Sequence, residues 1–217
     1  MALIRDLIGS LADPALIFEV TIGPPTAPLW PEEEAAVDSW TPQRRDEFAR
    51  GRDCARHALK RLGVSASPIL FDTAGAPSWP HGTVGSISHK RGCCLAVVGF
   101  STQFLSMGVD LEQDCSRGED AVVDRICSPM ERDQISSLRT MCTSPGTLIL
   151  SAKEAYYKFQ FPLTSNSLDW RDVEVVFGQG TYTVQATDSA EAPSLSGVGR
   201  FAVGDGWLVT MFHDKIQ

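Results

Sequence analysis

The sequence predicts an α+β fold in which the strands are mainly antiparallel. Segments with helical periodicity and helix caps occur in both halves of the 217-residue chain. The remaining apolar or alternating runs follow one another across short turns, without a helix between them. Such consecutive runs are typical of antiparallel hairpins rather than of parallel βαβ units. We therefore expect helices that pack on antiparallel sheets.

The first half contains the clearest helix. A short amphipathic helix and a strand over residues 15–22 precede it. Thr41 is a suitable N-cap, Pro42 suits the first helical position, and Gly63 ends the helix about twenty residues later. The apolar positions in between recur with helical spacing, so one face of this helix should pack on a sheet.

A meander of three strands is predicted next, over residues 83–88, 93–100 and 105–112. The first and third strands of a meander run in the same direction. His89 and the pair Asp110 and Glu112 should therefore arrive at one edge of the sheet.

The second half begins with the same kinds of signal. Ser128, Pro129 and Glu131 form a capping box that opens a helix. A further helix over residues 148–161 should be stopped by Pro162, because proline cannot continue the backbone hydrogen bonding. Residues 171–213 have the alternation and the glycine turns of antiparallel strands.

Composition excludes several classes of function. There are 27 acidic residues against 19 Lys and Arg, a formal charge of −8, which disfavours a nucleic-acid binder. No apolar run approaches the ~18–20 residues that span a bilayer, so we expect no membrane segment. The six cysteines show no CxxC spacing. We expect buried free thiols and a cytoplasmic protein.

Asp110 and Glu112 end a predicted strand with one residue between them. Side chains alternate along a strand, so both carboxylates point to one face while Leu111 points into the core. A hard divalent cation, Mg²⁺ or Mn²⁺, would relieve their repulsion. A solvated pair at the end of a strand is the alternative.

Glu154 and Lys158 lie one turn apart on the late helix, beside its apolar stripe. Such an i,i+4 pair is commonly a surface ion pair that stabilises the helix slightly. Alternatively, Glu154 is a third metal ligand or a base, and Lys158 contacts a phosphate oxygen.

Arginines follow one border of the first long helix. Arg45, Arg52 and Arg56 share this border, which suggests either a bound anion or arginines that cover apolar surface. Arg50 and Arg61 face away and should be solvated. His89 is a strand cap or, because it shares an edge with Asp110, a phosphate contact.

These residues together describe a site for a polyphosphate compound. The chain has no GxSxG, Walker A or GxGxxG motif. A metal-dependent phosphohydrolase or nuclease that uses the same acids is a rival interpretation. PD-(D/E)xK nucleases, however, need a lysine where this chain has Asp114. A binding module without activity is a further alternative.

The chain resembles the 4′-phosphopantetheinyl transferases. The resemblance rests on SISH (residues 86–89), GVDLE (108–112) and LSAKEAYYK (150–158), supported by GRDCARHAL (51–59) and FPLT (161–164). It is closest to the long, single-chain type that includes the enterobactin and surfactin synthetase activators.

The resemblance implies a pseudo-twofold chain of two similar α/β subdomains with coenzyme A between them. The reaction implied is transfer of the 4′-phosphopantetheine arm of coenzyme A to a serine of an apo acyl or peptidyl carrier protein. Adenosine 3′,5′-bisphosphate is released. Both halves lie in one chain, so we expect a monomer.

The resemblance also implies roles for single residues. The implied Mg²⁺ ligands are Asp110, Leu111 (through its carbonyl), Glu112 and Glu154. Lys158 would stabilise charge on the phosphate, and Glu154 or Glu112 would accept the serine proton. The implied coenzyme A contacts are Arg44, Arg52, Ser88, His89, Asp110, Glu154 and Lys158. At one position the family pattern favours Arg44, whereas helical spacing favours Arg45.

We expect the two subdomains to divide the work. Residues 1–103 should contact the nucleotide and 3′-phosphate of coenzyme A, and residues 104–217 should carry the metal and the catalytic residues. The active site would lie between them. One departure is the loop of residues 71–75, which lacks the lysines that relatives often have there.

Overall fold

The two halves of the chain repeat one topology. In the computed structural model, which describes residues 2–11, 13–187 and 195–216, each half has a first strand, a helical region and then further strands. The elements of the first half are α1 Ala2–Leu11, β1 Ile17–Ile22, α2 Pro31–Ala36, α3 Pro42–Arg61, β2 Thr83–Lys90 and β3 Cys93–Phe100. Those of the second half are β4 Met107–Gln113, α4 Glu119–Ile126, α5 Pro129–Leu138, α6 Pro145–Thr164, β5 Val173–Phe177, β6 Thr181–Ala186, β7 Val198–Gly204 and β8 Trp207–His213.

Each half forms an antiparallel sheet in which its first strand pairs with its last. The strand orders are β1-β3-β2 and β4-β8-β7-β6-β5. Val20 of β1 lies opposite Leu95 of β3, and Asp110 of β4 lies opposite Thr210 of β8. The long helices α3 and α6 pack on the sheets of their own halves. The α+β prediction with two similar halves is confirmed.

The predicted meander is wrong in one respect, because β4 does not pair with β3. It belongs to the five-stranded sheet and lies beside β2, the edge strand of the other sheet. Serine hydroxyls of β2 bridge the gap: the backbone N–H of Val109 donates to Ser86 Oγ at 3.0 Å, and that of Leu111 donates to Ser88 Oγ at 3.1 Å. We call this joint between β2 and β4 the serine seam. It brings the ends of the two strands together, as the sequence predicted.

The helix caps behave largely as predicted. Thr41 accepts from the N–H of Arg44, and the Ser128–Glu131 capping box is formed. Pro162, however, does not stop α6, which continues to Thr164. Proline removes only one donor in the last turn, and Ser165, with φ 54°, closes the helix through its N–H to Phe161 O.

One glycine sets the distance between α6 and β4. A Cβ on Gly108 would lie 1.8 Å from the carbonyl oxygen of Ala155. Only glycine therefore allows the α6 backbone to approach the strand so closely. This contact joins the two sequence motifs, since it sets the turn that carries Glu154 and Lys158 against the strand that carries Asp110.

A common core lies beneath both sheets. Buried side chains of β3, such as Leu95 and Val97, belong to the same apolar cluster as Val109 and Leu111 of β4. Because this core is shared, the strands of the seam are held from below by both halves. Among the residues that the structure describes, no helix is long and apolar enough to cross a membrane.

The six cysteines are free, as predicted, and Cys115 alone of the six is exposed. Burial raises the pKa of Cys54, Cys94 and Cys142 to about 12. Their thiols are therefore protonated at neutral pH and act as small apolar side chains.

Candidate active site

Asp110 lies at the centre of the serine seam and is almost fully buried. Ser88 donates its hydroxyl proton to Asp110 Oδ1 over 2.9 Å, and Ser151 of α6 donates to Oδ2 over 2.9 Å. The ammonium of Lys158 lies 2.7 Å from Oδ1 and 3.0 Å from the carbonyl oxygen of Val109. These contacts fix the direction of the carboxylate.

Ser88 is placed against Asp110 by both of its hydrogen bonds. It accepts from the N–H of Leu111 and gives its own proton to Asp110. A hydroxyl has a single proton, so this donor is committed. Ser88 thus orients Asp110 in this structure, and His89, the next residue, points to the opposite face of β2.

Glu112 forms an ion pair with Lys90, the last residue of β2. The sequence motifs gave Lys90 no role. Its position could have been predicted, because alternation along the strand places Ser86, Ser88 and Lys90 on one face. Lysines of two different elements therefore neutralise the two acids of β4, since Lys158 pairs with Asp110.

Glu154 is half-buried on α6 beside these groups. Burial raises the pKa of Glu154, the ammonium of Lys158 lowers it, and the charges of Asp110 and Glu112 raise it further. The net shift is upward. Because α6 packs on β4, Glu154 lies on the helix that borders the two acids, as the sequence predicted.

The donor set suits a hard divalent cation. Carboxylates and backbone carbonyls are the ligands that Mg²⁺ and Mn²⁺ prefer. Leu111 donates its N–H into the seam, and a strand residue directs its N–H and C=O to the same side, so the Leu111 carbonyl faces the seam too. Over residues 2–11, 13–187 and 195–216, however, no three acidic, histidine or cysteine side chains are already gathered for a metal. Asp110 and Glu112 are instead paired with Lys158 and Lys90.

Arg44 and Arg52 of α3 lie on one cluster of aromatic rings. The rings of Trp40, Phe48 and Phe71 are mutually 5.3–5.7 Å apart. The guanidinium of Arg44 lies 4.4 Å from the centre of the Trp40 ring, and that of Arg52 lies 4.2 Å from the Phe48 ring. Such stacking supports a cation without using its N–H groups.

Arg52 is buried with a donor to spare. Its Nε donates to the carbonyl of Ile69 over 2.6 Å, whereas Nη2 has no hydrogen-bond partner in the described part of the chain. Burial lowers the pKa of Arg52 to about 10, so it remains charged at neutral pH. A buried cation with an unsatisfied donor is costly unless an anion binds it.

The other arginines of α3 have structural partners. Arg45 faces Asp38 at 3.8 Å, so Arg44, and not Arg45, shares the aromatic cluster with Arg52. Arg56 is buried against Glu33 at 2.8 Å. The row expected from helical spacing is therefore divided: Arg45 and Arg56 pair with acids, whereas Arg52 Nη2 has no partner among the described residues.

The prediction that Arg50 and Arg61 are merely solvated is wrong. Arg61 reaches back to β1, where it pairs with Glu19 at 2.8 Å, and Arg50 pairs with Asp46 one turn before it. Long side chains at a helix edge can reach the neighbouring strand, which helical spacing alone does not show.

His89 faces α3 rather than Asp110. Its Nε2 lies 3.4 Å from Glu47 Oε2, next to the ring of Phe48 in the sequence. The histidine is exposed at the end of β2, on the α3 side of the strand. It therefore shares a strand end with the acids but occupies the other face.

Two family models cover most of the chain. The model of the 4′-phosphopantetheinyl transferase N-terminal domain matches residues 32–99, and that of the 4′-phosphopantetheinyl transferase superfamily matches residues 106–208. The chain is 37% identical over 194 residues to 4′-phosphopantetheinyl transferase Svp of Streptomyces mobaraensis, covering 86% of this chain and 78% of that protein. This chain belongs to the 4′-phosphopantetheinyl transferases.

Other relatives agree with this assignment. 4′-Phosphopantetheinyl transferase PptT of Mycobacterium tuberculosis is 36% identical over 76% of this chain and 74% of its own. Enterobactin synthase component D of Salmonella typhi is 34% identical over 60% of this chain and 54% of its own. The protein is thus an enzyme of the family that transfers phosphopantetheine from coenzyme A to carrier proteins. The phosphohydrolase or nuclease alternative is not supported.

A cavity of about 350 Å³ opens beside the seam of this transferase. Its walls are mainly apolar, and Lys158 and Ser86 are among the polar residues that line it. The apolar lining comes from both halves and includes Trp79, Val84, Leu105, Tyr157 and Phe161.

The lysine-free loop contributes to this region in another way. Phe71 is one of the aromatic rings beneath Arg52, at 5.2 Å. Asp72 accepts from the N–H groups of Ala74 and Ala76, both at 2.9 Å, which shapes the loop as part of the cavity wall. In place of cations, this loop supplies aromatic and apolar surface.

Proposed function

We propose that the seam end of the second half holds the metal and performs the transfer. Asp110, Glu112 and Glu154, with the Leu111 carbonyl, would hold Mg²⁺, or Mn²⁺ in its place. The hard oxygen donors and the mutual charge coupling of the three acids support this. When bound, the cation would neutralise the pyrophosphate of coenzyme A.

The first half would recognise the nucleotide end of coenzyme A. The single observation that supports this best is Arg52 Nη2, a buried donor for which the described residues offer no partner, on a guanidinium that stacks on the Phe48 ring. A 3′-phosphate would satisfy it, with Arg44 on the same aromatic cluster and His89 at the adjacent strand end. Residues 1–103 would thus bind the nucleotide, and residues 104–217 would carry the metal and catalytic groups.

Coenzyme A would cross the end of β2 between these two regions. His89 lies on one face of that strand end, and Ser88 and Lys90 lie on the other. The pyrophosphate would then reach the seam, and the pantetheine arm would enter the apolar cavity beside Lys158. The mainly apolar lining, with Lys158 among the lining residues, suits an arm that carries a phosphate at one end and supports this course.

The chemical step follows from the positions of Glu154 and Lys158. The carrier serine oxygen would bond to the phosphorus that bears the pantetheine arm. The bond from that phosphorus to the bridging oxygen would break, and adenosine 3′,5′-bisphosphate would leave. Glu154 would take the serine proton, since its raised pKa makes it a better base than an ordinary carboxylate. Lys158 would stabilise the charge on the phosphate.

The acceptors would be apo acyl or peptidyl carrier proteins. We also propose that the enzyme acts as a monomer, because both halves and the seam lie in one chain. The free, protonated thiols favour a reducing cytoplasm.

Mass spectrometry tests the proposal. Incubation with coenzyme A, Mg²⁺ and apo-carrier proteins should add one phosphopantetheine arm to a carrier. EDTA and Asp110→Ala should each remove nearly all of this mass gain. Full turnover in excess EDTA would show that the metal assignment is wrong.

A further inference from the structure

We propose that Lys90 couples metal binding to coenzyme A binding. In the free enzyme its ammonium holds Glu112, and on loading it moves from Glu112 to the phosphates of coenzyme A. This inference rests on the metal role proposed above for Asp110 and Glu112. Lys90 itself has no part in that role.

Lys90 reaches Glu112 at the open end of the seam. It follows Ser86 and Ser88 on the face of β2 that meets β4, and its Nζ contacts Glu112 Oε2. The side chain of Lys90 is 38% exposed, against 20% for Glu112, so the contact borders solvent. A ligand that arrives at the seam therefore meets this ion pair.

The two lysines of the site differ in how firmly they are held. Lys158 has a second acceptor in the Val109 carbonyl and is the less exposed of the two, at 27%. Lys90 ends its strand, next to Arg91, which has a φ of 47° in the turn to β3. An ammonium on a flexible four-carbon stem at such a place can move without disturbing the sheet.

A metal and the Lys90 ammonium would compete for the same carboxylate. Glu112 Oε2 faces Lys90 in this structure, and a cation bound to Asp110 and Glu112 would repel an ammonium in that place. A displaced ammonium remains next to the site, where the pyrophosphate of coenzyme A supplies new negative charge. Metal binding would thus release the Lys90 ammonium to bind coenzyme A. Coenzyme A would in turn remove from Glu112 the ammonium that competes with the metal.

Reciprocal coupling between the two ligands follows from this competition. If the metal improves the affinity for coenzyme A, then coenzyme A must improve the affinity for the metal by the same factor. An ordinary surface ion pair between Lys90 and Glu112 would produce no such factor. The two interpretations therefore differ in a measurable quantity.

Binding measurements on the full chain test the proposal. Mn²⁺ affinity is measured by the electron paramagnetic resonance signal of free Mn²⁺, with and without coenzyme A, in wild type and Lys90→Met. Without coenzyme A, we expect Lys90→Met to bind Mn²⁺ about 3- to 10-fold more tightly. The ratio of the Mn²⁺ dissociation constant without coenzyme A to that with coenzyme A measures the coupling. In Lys90→Met this ratio should be about 10-fold smaller than in wild type, within the usual range of coupling between sites.

Two further variants make the result specific. Lys90→Arg keeps a mobile cation and should retain most of the coupling. Lys60→Met removes an exposed lysine at the end of α3 and should leave both dissociation constants unchanged. An unchanged ratio in Lys90→Met, or a weaker Mn²⁺ affinity in its free form, would overturn the proposal.

Asp110→Asn separates this proposal from the one on which it rests. If Asp110→Asn abolishes Mn²⁺ binding, the metal site stands and the Lys90 variants alone decide the coupling. If Asp110→Asn binds Mn²⁺ like wild type, the metal assignment fails, and the coupling fails with it. The carrier mass gain in the same preparations shows independently whether the transfer reaction itself occurs.

Discussion

Helices α3 and α6 occupy equivalent places in the two halves but carry different chemistry. Each has 20 residues, begins with proline at its first position and packs on the sheet of its own half. α3 presents guanidinium groups supported by aromatic rings, and α6 presents a carboxylate and an ammonium one turn apart above β4. The two equivalent helices thus carry different charged groups, arginines on α3 and a carboxylate with an ammonium on α6.

The difference lies in whether the charge can change. Arg52 remains charged at neutral pH even though burial lowers its pKa to about 10. A permanent cation suits an anion that must be held but not altered. Glu154 has a raised pKa and is therefore closer to exchanging a proton in the working range. Position in the fold is shared, and the side chains decide the function.

The largest effect is expected on α6. Glu154→Gln and Lys158→Ala should each fold nearly normally and lose about 10²-fold or more in kcat, the usual scale for a base or a charge stabiliser. Asp46→Asn breaks the i,i+4 ion pair with Arg50 on α3 and should change kcat by less than about 2-fold, as for a surface pair. Steady-state kinetics with an apo-carrier measure kcat, and urea unfolding measures the stability of each variant. If kcat were normal in both α6 variants, the contrast between the helices would disappear.

An intermediate effect is expected on α3, in selectivity rather than rate. Dephospho-coenzyme A has the pyrophosphate but lacks the 3′-phosphate. His89→Ala and Arg52→Met should reduce kcat/KM about 10- to 150-fold for coenzyme A, the value of a charge-assisted hydrogen bond, and far less for the dephospho form. Equal losses on both substrates would place His89 and Arg52 among structural residues.

Two variants control for the α3 result. His81→Ala removes an exposed histidine before β2, and Arg45→Met removes the arginine that faces Asp38. Both should keep the preference for coenzyme A. A loss of this preference in Arg45→Met would show that Arg45, the position favoured by helical spacing, contacts the 3′-phosphate.

The smallest effect concerns a residue on neither helix. Burial lowers the pKa of His213, so the unfolded chain binds a proton there at a higher pH than the folded chain does. Its contribution to stability is therefore present above about pH 6.5 and is lost as the pH falls below that value. His213→Gln should unfold in urea with a smaller loss of stability between pH 7.5 and 5.5 than wild type, and its substrate preference should not change. A wild-type pH dependence in the variant would contradict this assignment.

The sequence predicted the parts of the site that depend on local geometry. Asp110 and Glu112 share a face because strands alternate, and the one-turn spacing of Glu154 and Lys158 places both beside a sheet. The caps at Thr41 and Ser128 likewise required only neighbouring residues.

The parts that depend on strand order were not predicted. A meander pairs β4 with β3, whereas the chain pairs β4 with β8, almost a hundred residues later. Lys90 contacts Glu112 because β4 lies beside β2 instead of pairing with β3. By contrast, the orientation of His89 away from Ser88 follows from alternation and was within reach of the sequence.

The serine seam has a mechanical consequence. A backbone ladder joins two strands at a fixed spacing and register, because its donors and acceptors belong to the main chain. At the seam the acceptors are the hydroxyls of Ser86 and Ser88, which can turn about their side-chain bonds and follow a small displacement. We therefore expect the seam to follow a small change in the separation of the two sheets more readily than a backbone ladder would.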